Sequence, residues 1–246
     1  MEHDLILAHW NRLGIMFNVQ PAEQTADIEK LLIETVSIIG QNARLLPAVA
    51  SWLCRYHRLV CRHRFAKFAS EIKSPESLAM LGFMLSCVKD KISTDHFNVV
   101  IKRCKKLETP LPLFYVDRKS NSLALLAKSN SCDLAKQWGL WCDKVEFRDD
   151  IIRTVQSVMN QNPSLKYRAL FGGQLKASIL ETITHYPQSV NSEVALTKAF
   201  GVTRKALREA VEHLEFCQLV RRNYTAGKIK ISASYSDVDL PVFCPS

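Results

Sequence analysis

The sequence predicts a mainly α fold in two parts: an α-helical N-terminal domain over residues 1–160, then three helices and a β-hairpin over residues 165–236, with a tail over 237–246. Two observations lead to this prediction. Glycine and proline contribute only 8 and 9 of the 246 residues, which favours long helices. Apolar residues recur at three- and four-residue spacing on both sides of a polar break at residues 161–164, which we interpret as the start of a linker.

The N-terminal domain is expected to consist of helices separated by polar or proline-containing breaks. The helices expected before residue 110 are Ala26–Ile39, about Asn42 to about Phe68, Pro75–Val88 with Ser74 as its N-cap, and a stretch near Asp95–Lys105. Pro110, Pro112 and the polar run Asp117–Asn121 then interrupt the periodicity. The elements expected around and after them are a short strand at Leu113–Val116 and helices near Cys132–Trp141 and Asp149–Asn160.

The C-terminal part carries helix caps where its apolar periodicity changes. The expected order is a helix at Gln174–His185, a short helix capped by Asn191 or Ser192 and ending at Phe200, a tight turn at Gly201-Val202, and a third helix capped by Thr203. The face of the third helix that would be buried carries Leu207, Ala210, Val211 and Leu214. Lys228–Ile231 alternates basic and apolar residues, as half-buried strands do, and is expected to form a hairpin with Leu219–Tyr224.

The string LTKAFGVTRKALREAVEHLEFCQLVRRNYTAGKIKIS resembles the winged helix-turn-helix domains of bacterial transcriptional regulators. The shared pattern is a short helix, a Gly-apolar turn, a Thr or Ser cap, a basic helix and a basic hairpin. The preceding string RALFGGQLKASIL resembles the first-helix lead-in of such regulators, some of which we associate with the operons of nucleotidyltransferase toxins. The resemblance covers about a third of the chain, and the N-terminal domain resembles no family that we recognise.

The resemblance implies double-stranded DNA as the partner, with the start of the third helix in the major groove and the hairpin near the phosphates. The residues expected to face the groove are Thr203, Arg204, Lys205 and Arg208. The residues expected to meet the backbone are Arg222, Lys228 and Lys230. Glu209 and Glu212 occupy the same exposed face, where they could pair with Lys205 and Arg208 at i,i+4 spacing. The alternative for this domain is a winged helix that docks on a protein and does not bind DNA.

The net charge of +9 favours an anionic partner, which could be nucleic acid, an acidic protein or anionic lipid. A possible second basic surface consists of Arg55, Arg58 and Arg62, which fall within about 60° of one another on a helical wheel. A further cluster consists of Lys102, Arg103, Lys105 and Lys106. These cations would extend a DNA surface or receive an acidic partner; the alternative is the solvated face of an ordinary helix.

No membrane partner is expected. The chain contains no run of about 18 apolar residues, the length that a transmembrane helix requires. It begins MEHDLILAHWNRLG, with acidic residues where a signal peptide carries basic ones. We therefore expect the protein to be cytoplasmic.

Metal, cofactor and catalytic motifs are not evident. None of the eight cysteines forms a Cys-x-x-Cys pair, so free buried thiols are expected. Cys54, His57 and Cys61 share a face at i, i+3 and i+7, and we interpret that face as a packing surface because no fourth metal ligand accompanies it. There is no glycine-rich phosphate loop and no nucleophile elbow, and Asp149-Asp150 suits a helix start. Neither a metal nor a cofactor is predicted.

The sequence therefore predicts a DNA-binding transcriptional regulator, not an enzyme, whose N-terminal domain senses a signal, forms a homodimer or docks a partner. The first alternative is a non-catalytic, antitoxin-like partner of a toxin such as a nucleotidyltransferase, with or without operator binding. The second is an RNA-cleaving helical domain, because Arg58 and His63 match the Arg-x4-His spacing of a class of helical ribonucleases in which both residues act on the RNA phosphate.

Overall fold

A computed structural model describes residues 2–185, 192–225 and 228–233, with side chains at 3–184, 192–222 and 231–232. This described part is mainly helical, in agreement with the predicted class. The chain divides into two compact units. The first unit contains Met1–His57 and Phe65–Val158; the second contains Arg58–Arg64 and the chain from Met159 onward.

Thirteen α-helices make up most of the described part of the chain. In chain order they are α1 Glu2–Arg12, α2 Ile28–Ile38, α3 Leu45–Tyr56, α4 Arg62–Glu71, α5 Pro75–Ile92, α6 Asn98–Ile101, α7 Asn121–Ser129, α8 Asp133–Gln137, α9 Val155–Gln161, α10 Leu165–Phe171, α11 Leu175–His185, α12 Glu193–Phe200 and α13 Arg204–Phe216. Two small sheets accompany them. In one, β1 Leu111–Pro112 pairs in parallel with β2 Leu140–Trp141, and in the other, β3 Val220–Thr225 pairs antiparallel with β4 Lys228–Ala233.

The first unit is centred on two tryptophans from different helices. Trp10 and Trp52 are both fully buried, and their rings meet edge to face with centroids 5.3 Å apart. Each indole N–H has a partner, since Trp10 donates to Thr35 Oγ1 at 2.7 Å and Trp52 donates to the Leu13 carbonyl at 2.8 Å. The rings therefore supply apolar contact area without leaving a buried donor unsatisfied.

The prediction of one helix from Asn42 to Phe68 is wrong. Helix α3 ends at Tyr56, a 3-10 turn covers His57–Leu59, and α4 begins at Arg62. Leu59, Val60 and Cys61 are all buried, and three consecutive residues cannot share the single buried stripe of an amphipathic helix. The chain therefore leaves the helical path at this point, and the two residue sets aligned on one continuous helix, Arg55/Arg58/Arg62 and Cys54/His57/Cys61, do not share a helix face.

The region between residues 95 and 160 also differs from the prediction. Strand β1 lies two residues before the expected Leu113–Val116, because the chain turns back at Tyr115–Arg118, where Arg118 Nε donates to the Pro112 carbonyl at 2.8 Å. The expected helix at Cys132–Trp141 ends at Gln137, because Gly139 takes a left-handed φ of 70° and the chain then enters β2. The helices expected near Asp95–Lys105 and Asp149–Asn160 are shorter, as α6 and α9.

The second unit has a core of its own. Its buried residues are Tyr167, Ala177, Ile179, Leu180, Ile183, Leu196, Phe200, Leu207, Ala210, Val211, Leu214 and Val220. They come from α10 to α13 and from β3, so the hairpin packs on the same core as the helices. Helices α11, α12 and α13 and the two strands lie close to the positions predicted for them. Helix α10, which directly follows the polar break at residues 161–164, is not among the predicted helices.

A buried ion pair holds the segment Arg58–Arg64 to the rest of the second unit. Arg168 is 2% exposed, and its Nε donates to Glu181 Oε2 at 2.8 Å. Its Nη1 donates to the Leu59 carbonyl at 3.0 Å. Gly173, at a φ of 68°, lies so close to this segment that a Cβ there would be 2.6 Å from the Val60 carbonyl oxygen. Only glycine therefore fits at residue 173.

In the part of the chain that the structure describes, no helix combines the length and the apolar character that crossing a bilayer requires.

Candidate nucleic-acid interface

Local caps fix the two helices on either side of the turn at Gly201-Val202. The Ser192 hydroxyl accepts a hydrogen bond from the Ala195 N–H at 3.2 Å and so caps α12. Gly201 ends α12 in the left-handed region with a φ of 63°, which costs glycine little. Two residues later the Thr203 hydroxyl accepts from the Ala206 N–H at 3.2 Å and begins α13. The short turn leaves α12 and α13 in direct contact.

Helix α13 has one buried and one cationic side. Its buried residues are Leu207, Ala210, Val211 and Leu214. Arg204, Lys205 and Arg208 are exposed, and the side chain of Lys205 is 88% exposed. Thr203 is also exposed, although its hydroxyl serves as the cap. All four residues expected to face a DNA groove therefore reach solvent from the N-terminal half of one helix.

Carboxylates accompany two of these cations, only partly in the predicted way. Lys205 Nζ lies 3.9 Å from Glu209 Oε1, which is the expected i,i+4 pair. Arg208 pairs with Glu193, the first residue of α12, and its second contact with that carboxylate is 3.4 Å long. Hydrogen bonding to Glu193 is the main cause that raises the pKa of the Arg208 guanidinium. The charge of Glu212, which was the expected partner, contributes least to that rise. The residue spacing within α13 cannot predict this pair, because Glu193 belongs to α12.

The hairpin orients its two arginines differently. Arg222 is half-buried and forms an ion pair with Glu215 of α13, and its backbone N–H donates to the same carboxylate at 3.0 Å. The neighbouring Arg221 is exposed. Successive strand residues face opposite sides of a sheet, so the outward cation of β3 is Arg221 and not Arg222 as expected. Leu219–Tyr224 does not alternate polar and apolar residues, so its sequence contains no signal that distinguishes Arg221 from Arg222.

The two predicted lysines of the hairpin belong to β4. Lys228 pairs with Thr225 and Lys230 pairs with Asn223 in the strand register. By the two-residue alternation of strands, these backbone positions belong to the same face of the hairpin as Arg221. The side chains of Lys228 and Lys230 lie outside the described residues.

The remaining predicted cations lie near the break between α3 and α4. Arg55 is exposed, and its Nη1 donates to the carbonyl of Ile152 at 3.2 Å within the first unit. Arg58, Arg62 and His63 are exposed and belong to the second unit. Arg58 lies in the 3-10 turn and His63 lies in α4, so the Arg58-x4-His63 spacing does not follow one helix.

Among the described residues, no group of three or more His, Cys, Asp or Glu side chains is arranged to hold a metal ion. The seven described cysteines are free; Cys244 lies outside that part of the chain. Burial raises the pKa of the Cys54 thiol to about 11 and that of Cys142 to about 12. Burial likewise raises the pKa of Cys104 to about 12 and that of Cys87 further. These thiols stay protonated at neutral pH.

We expect Cys217 to react with an alkylating agent well before Cys87, Cys104 and Cys142. Cys217 is exposed at the end of α13, whereas burial and a raised pKa keep the thiolate fraction of the other three very low at pH 8. Timed labelling with iodoacetamide, followed by peptide mass spectrometry, gives the order. Equal labelling of these four cysteines before the protein unfolds would contradict the packing described here.

Comparison of the chain with models of known protein families, with curated proteins and with solved structures gave no match.

Proposed function

We propose that the second unit is a winged helix-turn-helix domain that binds double-stranded DNA, and that the protein is a transcriptional regulator and not an enzyme. The observation that carries the proposal is the face of α13, where Arg204, Lys205 and Arg208 are exposed directly after a Thr203 cap and opposite a buried apolar stripe. The first unit then senses a signal, forms a homodimer or docks a partner.

The order of elements supports this proposal. In winged helix-turn-helix domains the second helix of the motif enters the major groove through its N-terminal residues, and a hairpin lies near the phosphates. Here α12 and α13 would form the motif, and β3 and β4 would form the wing. Arginine and lysine can donate to guanine edges in that groove, while cations on the hairpin can bind phosphate. Arg221 joins Lys228 and Lys230 as a candidate phosphate ligand because it is exposed on β3.

Single alanine substitutions separate base reading from phosphate binding. We expect Arg204→Ala to reduce the preference for a selected DNA site over scrambled DNA, because a base contact contributes about 1–3 kcal/mol of discrimination. We expect Lys228→Ala to weaken binding to both DNAs equally. The slope of log affinity against log salt concentration should become shallower by about one unit. Fluorescence anisotropy at several salt concentrations measures both effects, with circular dichroism as the folding control. If both variants fold and bind both DNAs like the parent, the second unit does not read DNA through these residues.

We expect Glu193→Gln to tighten DNA binding about three- to tenfold in low salt. The substitution removes one negative charge beside the proposed surface and releases Arg208 from its ion pair, while glutamine keeps the size of the side chain. The gain should shrink as salt rises, because added ions screen exposed charges. Glu209→Gln, which changes the longer pair with Lys205, is the matched control and should give a smaller gain. A Glu193→Gln protein that binds more weakly than the parent would show that the pair positions Arg208 for DNA.

Protein docking by the second unit is the second candidate function. Phe216, at the end of α13, is 88% exposed, and Val194 of α12 is 58% exposed. Aromatic side chains are enriched in protein interfaces relative to the rest of a protein surface, so Phe216 is the candidate contact residue. Under this alternative, which includes the antitoxin-like role, Phe216→Ser abolishes partner binding, whereas Arg204→Ala leaves it intact.

A further inference from the structure

Helix α7 of the first unit faces the protein with small residues and faces solvent with leucines. Its half-buried residues are Ala124 and Ala127, and none of its residues is fully buried. Leu125 and Leu126 are 64% and 56% exposed, and Leu123 is 38% exposed. An amphipathic helix on a protein surface normally buries its large apolar side chains, so α7 has the reverse arrangement.

The turn just before α7, which contacts the helix, also exposes apolar side chains. Tyr115 and Val116, in the turn just before α7, are 38% and 53% exposed. Eleven large apolar residues are exposed in the described part of the chain, and five of them lie between residues 115 and 126. Isolated exposed apolar residues are ordinary, whereas nearly half of the described ones lying in one short segment makes this segment the candidate interaction surface. We name these five residues, Tyr115, Val116, Leu123, Leu125 and Leu126, the α7 patch.

A groove next to α7 adds positive charge to this surface. It has a volume of about 560 Å³ and is lined by Leu125, Lys128, Ser129, Lys136 and Trp141. The Lys128 ammonium lies 5.4 Å from the centroid of the Trp141 ring. Lys136 Nζ lies 3.5 Å from a carboxylate oxygen of Asp133, and the Asp133 side chain is almost fully exposed. Asp133 does not line the groove, whose lining residues carry two positive charges and no negative one. Leu125 therefore joins the α7 patch to a groove that combines two apolar side chains, Leu125 and Trp141, with two lysines.

We infer that the α7 patch and this groove bind an acidic amphipathic segment of a partner protein, with apolar side chains on the leucines and Trp141 and carboxylates beside Lys128 and Lys136. Charge complementarity selects this occupant. A second copy of the chain in a two-fold contact would place the same lysines near one another, which is unfavourable. A flat bilayer surface fits a concave groove poorly, whereas a narrow peptide segment fills it.

The test uses the full chain and two fluorescein-labelled helical peptides. One peptide has leucines at i, i+3, i+4 and i+7 with glutamates between them; the other has lysines in place of the glutamates. Anisotropy should show the acidic peptide binding at least tenfold more tightly than the basic one. Leu125→Ser and Lys128→Glu should each weaken binding of the acidic peptide about fivefold or more. The matched controls are Val99→Ser, at a residue 54% exposed elsewhere in the first unit, and Lys144→Glu; both should bind like the parent.

Three results would overturn this inference. One is that the two peptides bind with equal affinity, or that neither binds at millimolar concentration. Another is an equal loss of affinity for the acidic peptide in the Leu125→Ser and Val99→Ser variants. The third is a change of occupant: a parent dimer in sedimentation that Leu125→Ser dissociates, or binding to phosphatidylserine vesicles that Leu125→Ser abolishes. The inference does not depend on DNA binding, because Leu125→Ser should bind DNA like the parent.

Discussion

Replacing Glu181 by alanine is expected to destabilise the second unit by about 3–5 kcal/mol, the usual cost of breaking a buried ion pair by removing one partner. Arg168 is 2% exposed and donates to Glu181 at 2.8 Å. The same guanidinium donates to the Leu59 carbonyl. If Arg168 moves when Glu181 is removed, the segment Arg58–Arg64 is also held less firmly. Glu181→Gln keeps an acceptor for Arg168 and should cost less.

Urea unfolding with two probes measures this loss. The four tryptophans, Trp10, Trp52, Trp138 and Trp141, all belong to the first unit, so their fluorescence reports that unit, while circular dichroism at 222 nm reports both. Hydrogen exchange should locate the loss of protection in α10 and α11. Glu209→Ala, which removes an exposed partner of Lys205, is the control and should change stability by less than about 1 kcal/mol. A Glu181→Ala protein as stable as its parent would contradict the buried pair.

The second unit was the most predictable part of the fold because short-range chemistry specifies it. Ser192 and Thr203 are caps whose role depends on residues three positions away, and Gly201 fits a left-handed helix end without strain. The apolar stripe of α13 is likewise local. The candidate site followed from the same helix, since the exposed positions of Arg204, Lys205 and Arg208 are set by the residues that are buried.

Long-range contacts explain what was not predicted. The helix break at Leu59–Cys61 depends on burial against other parts of the second unit, and a helical wheel contains no such information. The pairing of Arg208 with Glu193 and that of Arg222 with Glu215 join different elements. Helix α7 was missed because its N-cap, Ser120, lies within a polar run that was interpreted as a break. Its outward leucines reverse the pattern on which helix prediction depends.

Reversing the charge of Arg204 and Lys205 is expected to have the largest effect on DNA binding. Both residues lie in the first turn of α13, and both are exposed. Replacing both with glutamate lowers the net charge of the chain from +9 to +5 and puts two carboxylates where phosphates or base edges would lie. Affinity should fall at least about 100-fold in low salt, and the log–log salt slope should become shallower by about two units.

The most direct test of the DNA-binding proposal compares this double variant with Lys105→Glu/Lys106→Glu, which makes the same charge change at an exposed basic cluster of the first unit. Both proteins and the parent are titrated with one labelled duplex at several salt concentrations, and circular dichroism checks their folding. If the second unit binds DNA through α13, the Arg204/Lys205 variant loses binding and the Lys105/Lys106 variant stays within about threefold of the parent. Equal losses, loss only in the Lys105/Lys106 variant, or a parent that does not bind in low salt would contradict the proposal.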